Sequence, residues 1–153
     1  MISNTYYHNF VTHLMEAAYQ REVYKIVDAG GSVNAETLTR LMKETLQAFW
    51  GADVEISDDA AHTWMRQPHY YMGLYSYTYS AGLTVATQAC RRIEKEGQCA
   101  VDDWKKLLAA GGTLDPVGLA KLAGIDITTD TPLLDTIAYI GEIIDEIEAL
   151  TDM

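Results

Sequence analysis

Apolar residues recur at spacings of three and four along most of this 153-residue chain, strict alternation is scarce, and proline occurs only three times. That period marks helices packed on one face, so the pattern predicts an all-α protein. Phe10, Leu14, Ala17, Ala18 and Ile26 define a first helix from about Thr5 to Asp28, closed by Gly30-Gly31, because glycine readily takes the left-handed conformation of a helix end. Leu38, Leu41, Met42, Leu46 and Phe49 form the face of a second helix, with Asn34 as its N-cap and Gly51 as its stop. Ser57-Asp58-Asp59 opens a short helix toward Trp64, and Pro68 breaks that segment.

A third helix is expected from about Met72 to Glu96, closed by Gly97. Its first half is apolar on most sides, which predicts a central, buried element, and its second half turns polar at Arg91-Arg92-Ile93-Glu94-Lys95-Glu96. A fourth helix carries Trp104, Leu107 and Leu108 and stops at Gly111-Gly112. Asp115-Pro116 combines an N-cap with proline at the first helical position, and that short helix ends at Gly124. Thr131-Pro132 opens the last helix, whose Leu133, Leu134, Ile137, Ile140, Ile143, Ile144, Ile147 and Leu150 are apolar while Glu142, Asp145, Glu146 and Glu148 take the remaining faces. With no internal repeat and no linker, the expectation is one all-helical unit over residues 1–153, a multi-helix bundle of about six helices.

Composition narrows the function. The net charge of −11 disfavours nucleic acid and anionic membranes, whose partners concentrate Lys and Arg. No stretch reaches the roughly 18 apolar residues that span a bilayer. Cys90 and Cys99 show neither a C-x-x-C pair nor zinc-type spacing, and the first residues lack a charged region followed by an apolar run, so the expected setting is reducing and cytoplasmic. Cys90 reads as a small buried hydrophobe, Arg91-Arg92 as a solvated turn of helix, and His62 as a surface residue.

The chemistry concentrates between Pro68 and Gly82, where His69 is followed by Tyr70, Tyr71, Tyr75, Tyr77 and Tyr79. Each of these side chains joins an apolar body to a polar tip that needs a partner when buried. On a continuous helix Tyr71, Tyr75 and Tyr79 would share one face and Tyr77 would point elsewhere, so the tyrosines divide between cleft and core. His13 and Glu16, three apart, could place two metal-ligand types together, but two do not complete a site.

With the helices placed, the chain resembles the C-terminal part of the oligoendopeptidase F family of zinc metallopeptidases, relatives of thimet oligopeptidase. The residues that carry the likeness are Pro68, His69, Tyr70, Tyr71, Tyr75, Tyr77, Tyr79 and Gly82, then Gly111-Gly112, the run from Pro116 to Asp126, and the acidic helix from Pro132 to Leu150. Thr5-Tyr6-Tyr7-His8-Asn9-Phe10 resembles the family's helix after the metal region, although members more often carry Arg-Gln where His8-Asn9 stands and Phe where Leu74 stands. The likeness covers essentially the whole chain, with several motifs in order.

What the resemblance implies is specific. The family binds zinc through H-E-x-x-H and a downstream Glu, and here none of His8, His13, His62 and His69 is followed by Glu. The zinc ligands and general base are therefore expected upstream of Met1, with no metal ligand in this chain. Zinc polarises the scissile carbonyl, and the oxyanion that forms needs donors placed where charge develops. By resemblance His69 and Tyr77 are the catalytic candidates and Tyr75 follows them in gripping substrate. Tyr70 and Tyr71 either contact substrate backbone or fill space, and Arg66 either meets a substrate carboxylate or pairs at the surface. The implied partners are an oligopeptide and the zinc-bearing half of the enzyme. Apolar faces left without that half predict self-association. A helical peptide-binding or interaction module without catalysis competes with this reading, as does a bundle holding an unrelated small ligand between Tyr- and His-lined helices.

Overall fold

The computed structural model describes residues 2–151, the Ser3 side chain excepted. The described residues contain seven α-helices and no strand, as the periodicity predicts. By Cα distances the chain divides into two compact units, Ser3–Ser80 and the part from Ala81 onward.

A π-helical segment, Ile2–Thr12, turns directly into α1 (His13–Asp28), and from Ser3 on both belong to the first unit. An ordinary helix was expected from Thr5. The wider winding brings carbonyls five residues back within reach of side chains. Thr12 Oγ1 donates to the Tyr7 carbonyl at 3.1 Å, and His13 Nδ1 donates to the His8 carbonyl at 2.8 Å. Helix α2 (Ala35–Trp50) starts where expected, because the Asn34 side chain accepts from the Thr37 N–H at 2.9 Å. Ser57 caps α3 (Asp58–Ala61) in the same way, at 3.2 Å from the Ala60 N–H. Two 3₁₀ turns follow, Thr63–Met65 and Pro68–Tyr71. Tyr19, Leu41 and Met42 form the core here, with Val23, Ile26, Leu38, Leu46, Trp64 and Tyr70 packed against them. The Trp64 indole donates to Thr39 Oγ1 at 3.1 Å, satisfying its one polar atom.

The third expected helix is corrected at its start: α4 runs Tyr77–Glu96, not from Met72. Gly73 takes φ +65°, a left-handed conformation that interrupts helix and suits glycine. The Gln20 side chain of α1 donates to the carbonyls of Tyr70 and Gly73, so tertiary hydrogen bonds hold this stretch out of a helix. Burial is corrected as well. The inward positions around the start of α4 are Ser76 and Ser80, followed by Thr84, Thr87 and Ala89, whereas Leu74, Tyr75 and Tyr77 are exposed. Small hydroxyl residues recur at helical spacing on that face, and Ser80 Oγ donates to the Phe10 carbonyl at 2.9 Å.

The second unit contains the rest of α4, then α5 (Gln98–Ala110), α6 (Pro116–Leu122) and α7 (Thr131–Thr151). Asp115 caps α6 through the Gly118 N–H at 2.6 Å, as its sequence signal predicts. Ala89, Ala123 and Ile125 are its buried centre, surrounded by Val85, Trp104, Leu107 and Ile127. Gln88 ties α4 to α7 by donating to Thr136 Oγ1 at 3.1 Å. Two expectations fail here. Arg91-Arg92 is not a freely solvated turn: Arg91 meets Glu142 at 2.9 Å and lies 4.6 Å above the Tyr139 ring, while Arg92 binds Glu96, Asp103 and the Ala123 carbonyl. Cys90 is exposed rather than buried, because its position falls on the outward side of α4 beside Glu94. Leu134, Ile137, Ile144, Ile147 and Leu150 stand exposed along α7. No helix among the described residues is long and apolar enough to cross a membrane.

Candidate active-site strip

The 3₁₀ turn at Pro68–Tyr71 and the bend up to Ser76 place His69 over the first turns of α1. His69 is mostly buried, with 18% of its side chain exposed, and it is the hub of an aromatic group. Its ring lies 5.4 Å from Tyr75, 5.3 Å from Tyr79 and 5.3 Å from His13, and Tyr75 and Tyr79 meet edge to face at 5.4 Å. His69 Nε2 is 3.3 Å from the Tyr79 hydroxyl. The hydrogen bond to Tyr75 is the largest cause that holds the Tyr79 phenol above its ordinary pKa, followed by burial, Tyr75 itself and Glu16.

Beneath His69 lies a buried polar network. Glu16 is 6% exposed, and His13, one turn before it, 2%. Gln67 Nε2 is 2.8 Å from Glu16 Oε1 and 2.8 Å from His69 Nδ1. Ser76, fully buried, donates to Glu16 Oε2 at 3.1 Å. Buried polar groups are costly unless partnered, and here both carboxylate oxygens and both His69 nitrogens have a partner.

The predicted residues separate into three groups. His69 and Tyr75 come together, joined by Tyr79. Tyr70 goes to the core: its ring packs on Tyr19 at 5.1 Å, and burial first, then Glu16 and Tyr19, drive its phenol pKa far up. Tyr71, Tyr77 and Arg66 face outward, with Tyr71 72% and Tyr77 51% exposed. The expected shared helical face of Tyr71, Tyr75 and Tyr79 does not form, because only Tyr79 lies in α4. His62 is half-buried rather than on the surface. Sequence reasoning singled out His13 and Glu16 as a pair but missed Gln67 and Ser76. The available signal was a glutamate on the inward face of an apolar helix, which requires buried partners.

His13, Glu16 and His69 also form the one group of three metal-ligand types among the described residues, with a ligand atom from each within 4.8 Å of the others. Their bonding does not fit a zinc site as it stands. His69 Nδ1 is taken by Gln67 and Nε2 by Tyr79, and His13 Nδ1 faces a carbonyl.

The model for peptidase family M3 matches residues 2–139. The chain belongs to peptidase family M3. Family M3 peptidases are zinc-dependent. Among similar M3 proteins, the oligopeptidase PepF of Bacillus subtilis is 29% identical over 136 residues, covering 89% of this chain and 20% of that protein. An oligoendopeptidase F homologue of Borreliella burgdorferi is 25% identical, over 84% of this chain and 22% of its own length. The crystal structure of oligoendopeptidase-F from Enterococcus faecium shares the fold, with TM-score 0.86 and 24% identity over 92% of this chain and 27% of that one. The chain thus spans about a fifth of the length of these curated M3 relatives.

Proposed function

We propose that this chain is the C-terminal portion of a zinc metalloendopeptidase that hydrolyses oligopeptides, and that its residues grip the substrate and stabilise the oxyanion. The supporting observation is the His69–Tyr79–Tyr75 cluster, seated on a buried polar network and flanked by exposed Tyr77, in a chain that matches family M3 along nearly its whole length. Imidazole N–H and phenol O–H groups donate to developing negative charge without a permanent charge of their own. His69 and Tyr77 are the catalytic candidates. Tyr75 contacts substrate, and outward-facing Tyr71 and Arg66 can reach it. Tyr70 supports the strip from the core. Zinc, bound by a partner portion carrying H-E-x-x-H, supplies the polarising charge and the activated water. Both units of this chain act with that portion as one enzyme in the cytoplasm.

The isolated chain is expected to show neither stoichiometric zinc nor chelator-sensitive peptidase activity. Mixed with the zinc-bearing portion, it is expected to restore cleavage, and His69→Ala or Tyr77→Phe is expected to lower turnover by about 100–1000-fold. The exposed apolar row on α7 also supports self-association of the isolated chain. Sedimentation is expected to show dimers or larger species, and a clean monomer would contradict this.

A second reading is a peptide-binding module without catalysis. The outward-facing Tyr71 and Tyr77, which can hold peptide backbone without a metal, favour it. Peptide binding that persists while no zinc-bearing portion restores cleavage would select it.

A further inference from the structure

We propose that Gln67 fixes the His69 imidazole as the tautomer with hydrogen on Nε2, so that His69 donates to Tyr79 and leaves the Tyr79 hydroxyl as a donor, in a chain that starts from a buried anchor. The functional meaning rests on the peptidase reading above. The assignment of Gln67 as a positioning residue rests on geometry alone.

Gln67 Nε2 lies 2.8 Å from Glu16 Oε1. A carboxylate only accepts, so the amide face turned toward it must be the NH₂. With the amide turned over, two acceptor oxygens would meet at that distance in a buried site, a repulsive arrangement. The orientation of Glu16 is itself held, because Ser76 occupies its other oxygen at 3.1 Å. The amide has two hydrogens. One goes to Glu16, and the other points at His69 Nδ1, 2.8 Å away. Glu16 Oε2 stands farther from Nδ1, at 3.8 Å and beyond hydrogen-bond reach, so the amide sets the proton: Nδ1 presents its lone pair and the ring hydrogen sits on Nε2.

The consequence propagates along the strip. Nε2–H faces the Tyr79 hydroxyl at 3.3 Å, so Tyr79 accepts there and keeps its own hydrogen to give elsewhere. Tyr75, 39% exposed, packs its ring 5.4 Å from that of Tyr79. In the opposite tautomer Nε2 would take the Tyr79 hydrogen, and the Tyr79 hydroxyl would have only lone pairs left to present. A lone pair repels an oxyanion, whereas a hydrogen stabilises it. Gln67 thus selects the polarity of the strip without touching substrate.

The test is tautomer determination in the complete chain with ¹⁵N-labelled histidine, at a pH well above the ordinary imidazole range. Long-range ¹H–¹⁵N correlations report which ring nitrogen carries hydrogen, and His69→Asn assigns the His69 signals by their loss. The expected wild-type result is hydrogen on Nε2. Gln67→Met keeps the length but removes the donor, and it is expected to bring in the Nδ1–H form. Wild-type His69 with hydrogen on Nδ1 overturns the proposal, as does an unchanged tautomer in folded Gln67→Met. If Gln67→Met does not fold, the wild-type spectrum alone decides. No peptide is cut in this experiment, so its outcome is separable from that of reconstitution, where failure would count against the peptidase reading instead.

Discussion

In the first unit a carboxylate, Glu16, is buried beneath a histidine and held by a glutamine and a serine from distant parts of the chain. In the second unit Arg91 reaches Glu142 of α7 at the surface, while half-buried Arg92 pairs with Glu96 one turn on and with Asp103 of α5. Exposed pairs contribute little to stability, typically below about 1 kcal/mol. A buried carboxylate is expensive to desolvate and is a poor way to stabilise a fold. The first unit has exposed pairs as well, such as Arg40–Glu44, so what sets it apart is the buried carboxylate beneath the residues with candidate chemistry.

The sharpest way to break this contrast is to remove the buried anion. Glu16→Ala leaves the Gln67 amide and the Ser76 hydroxyl without their acceptor, and should destabilise the chain by about 3 kcal/mol. Equilibrium urea unfolding reads this directly. A loss within about 0.5 kcal/mol, the range of ordinary surface changes, would show the network to be dispensable.

A smaller effect is expected from Gly124→Ala in the second unit. Gly124 has φ +73°, and a Cβ there would overlap the Arg92 guanidinium. The left-handed backbone and the displaced guanidinium together should cost about 2 kcal/mol. The same unfolding measurement checks it. Arg92→Ala should relieve the clash and make the two changes less than additive.

The least disruptive test is pH. Burial, more than the nearby phenol of Tyr71, raises the Tyr19 pKa, and burial likewise leads the causes at Tyr70. A raised folded-state value contributes stability that is complete below the unfolded phenol value near 10 and is lost as pH rises beyond it. In the second unit, Arg92 lowers the Glu96 pKa, and Lys106 first, then Arg92, lowers that of Asp103. Lowered carboxyl values give stability present above the unfolded values near 4 and lost as pH falls through the folded ones. Residue-resolved hydrogen exchange should therefore show the first unit loosening on the alkaline side and the second on the acid side, with the exposed Lys106, whose pKa Asp103 raises, adding little to alkaline loosening of the second. Loosening of both units together at either extreme would contradict the contrast.

The helices and their caps were legible because their causes are local. Asn34, Ser57 and Asp115 announce starts through their own side chains, and the structure uses each as expected. The start of α4 was not legible, because Met72 to Ser76 is kept from helix by Gln20, more than fifty residues away, together with Gly73. His69 and Tyr75 could be singled out from tyrosine density and family likeness. Gln67 and Ser76 could not, since their roles depend on Glu16 meeting them across the fold. The π winding at the N-terminal segment left no mark in an apolar pattern that a normal helix also satisfies. Arg92 looked like a solvated residue because its carbonyl partner, Ala123, lies beyond an intervening helix in the sequence.

The most direct test of the central claim is the turnover of this chain mixed with a zinc-bearing M3 portion, with zinc content measured in the same samples. Wild type is expected to restore oligopeptide cleavage, and His69→Ala and Tyr77→Phe are each expected to reduce it by about 100–1000-fold at unchanged zinc occupancy. Full turnover in both variants would contradict it.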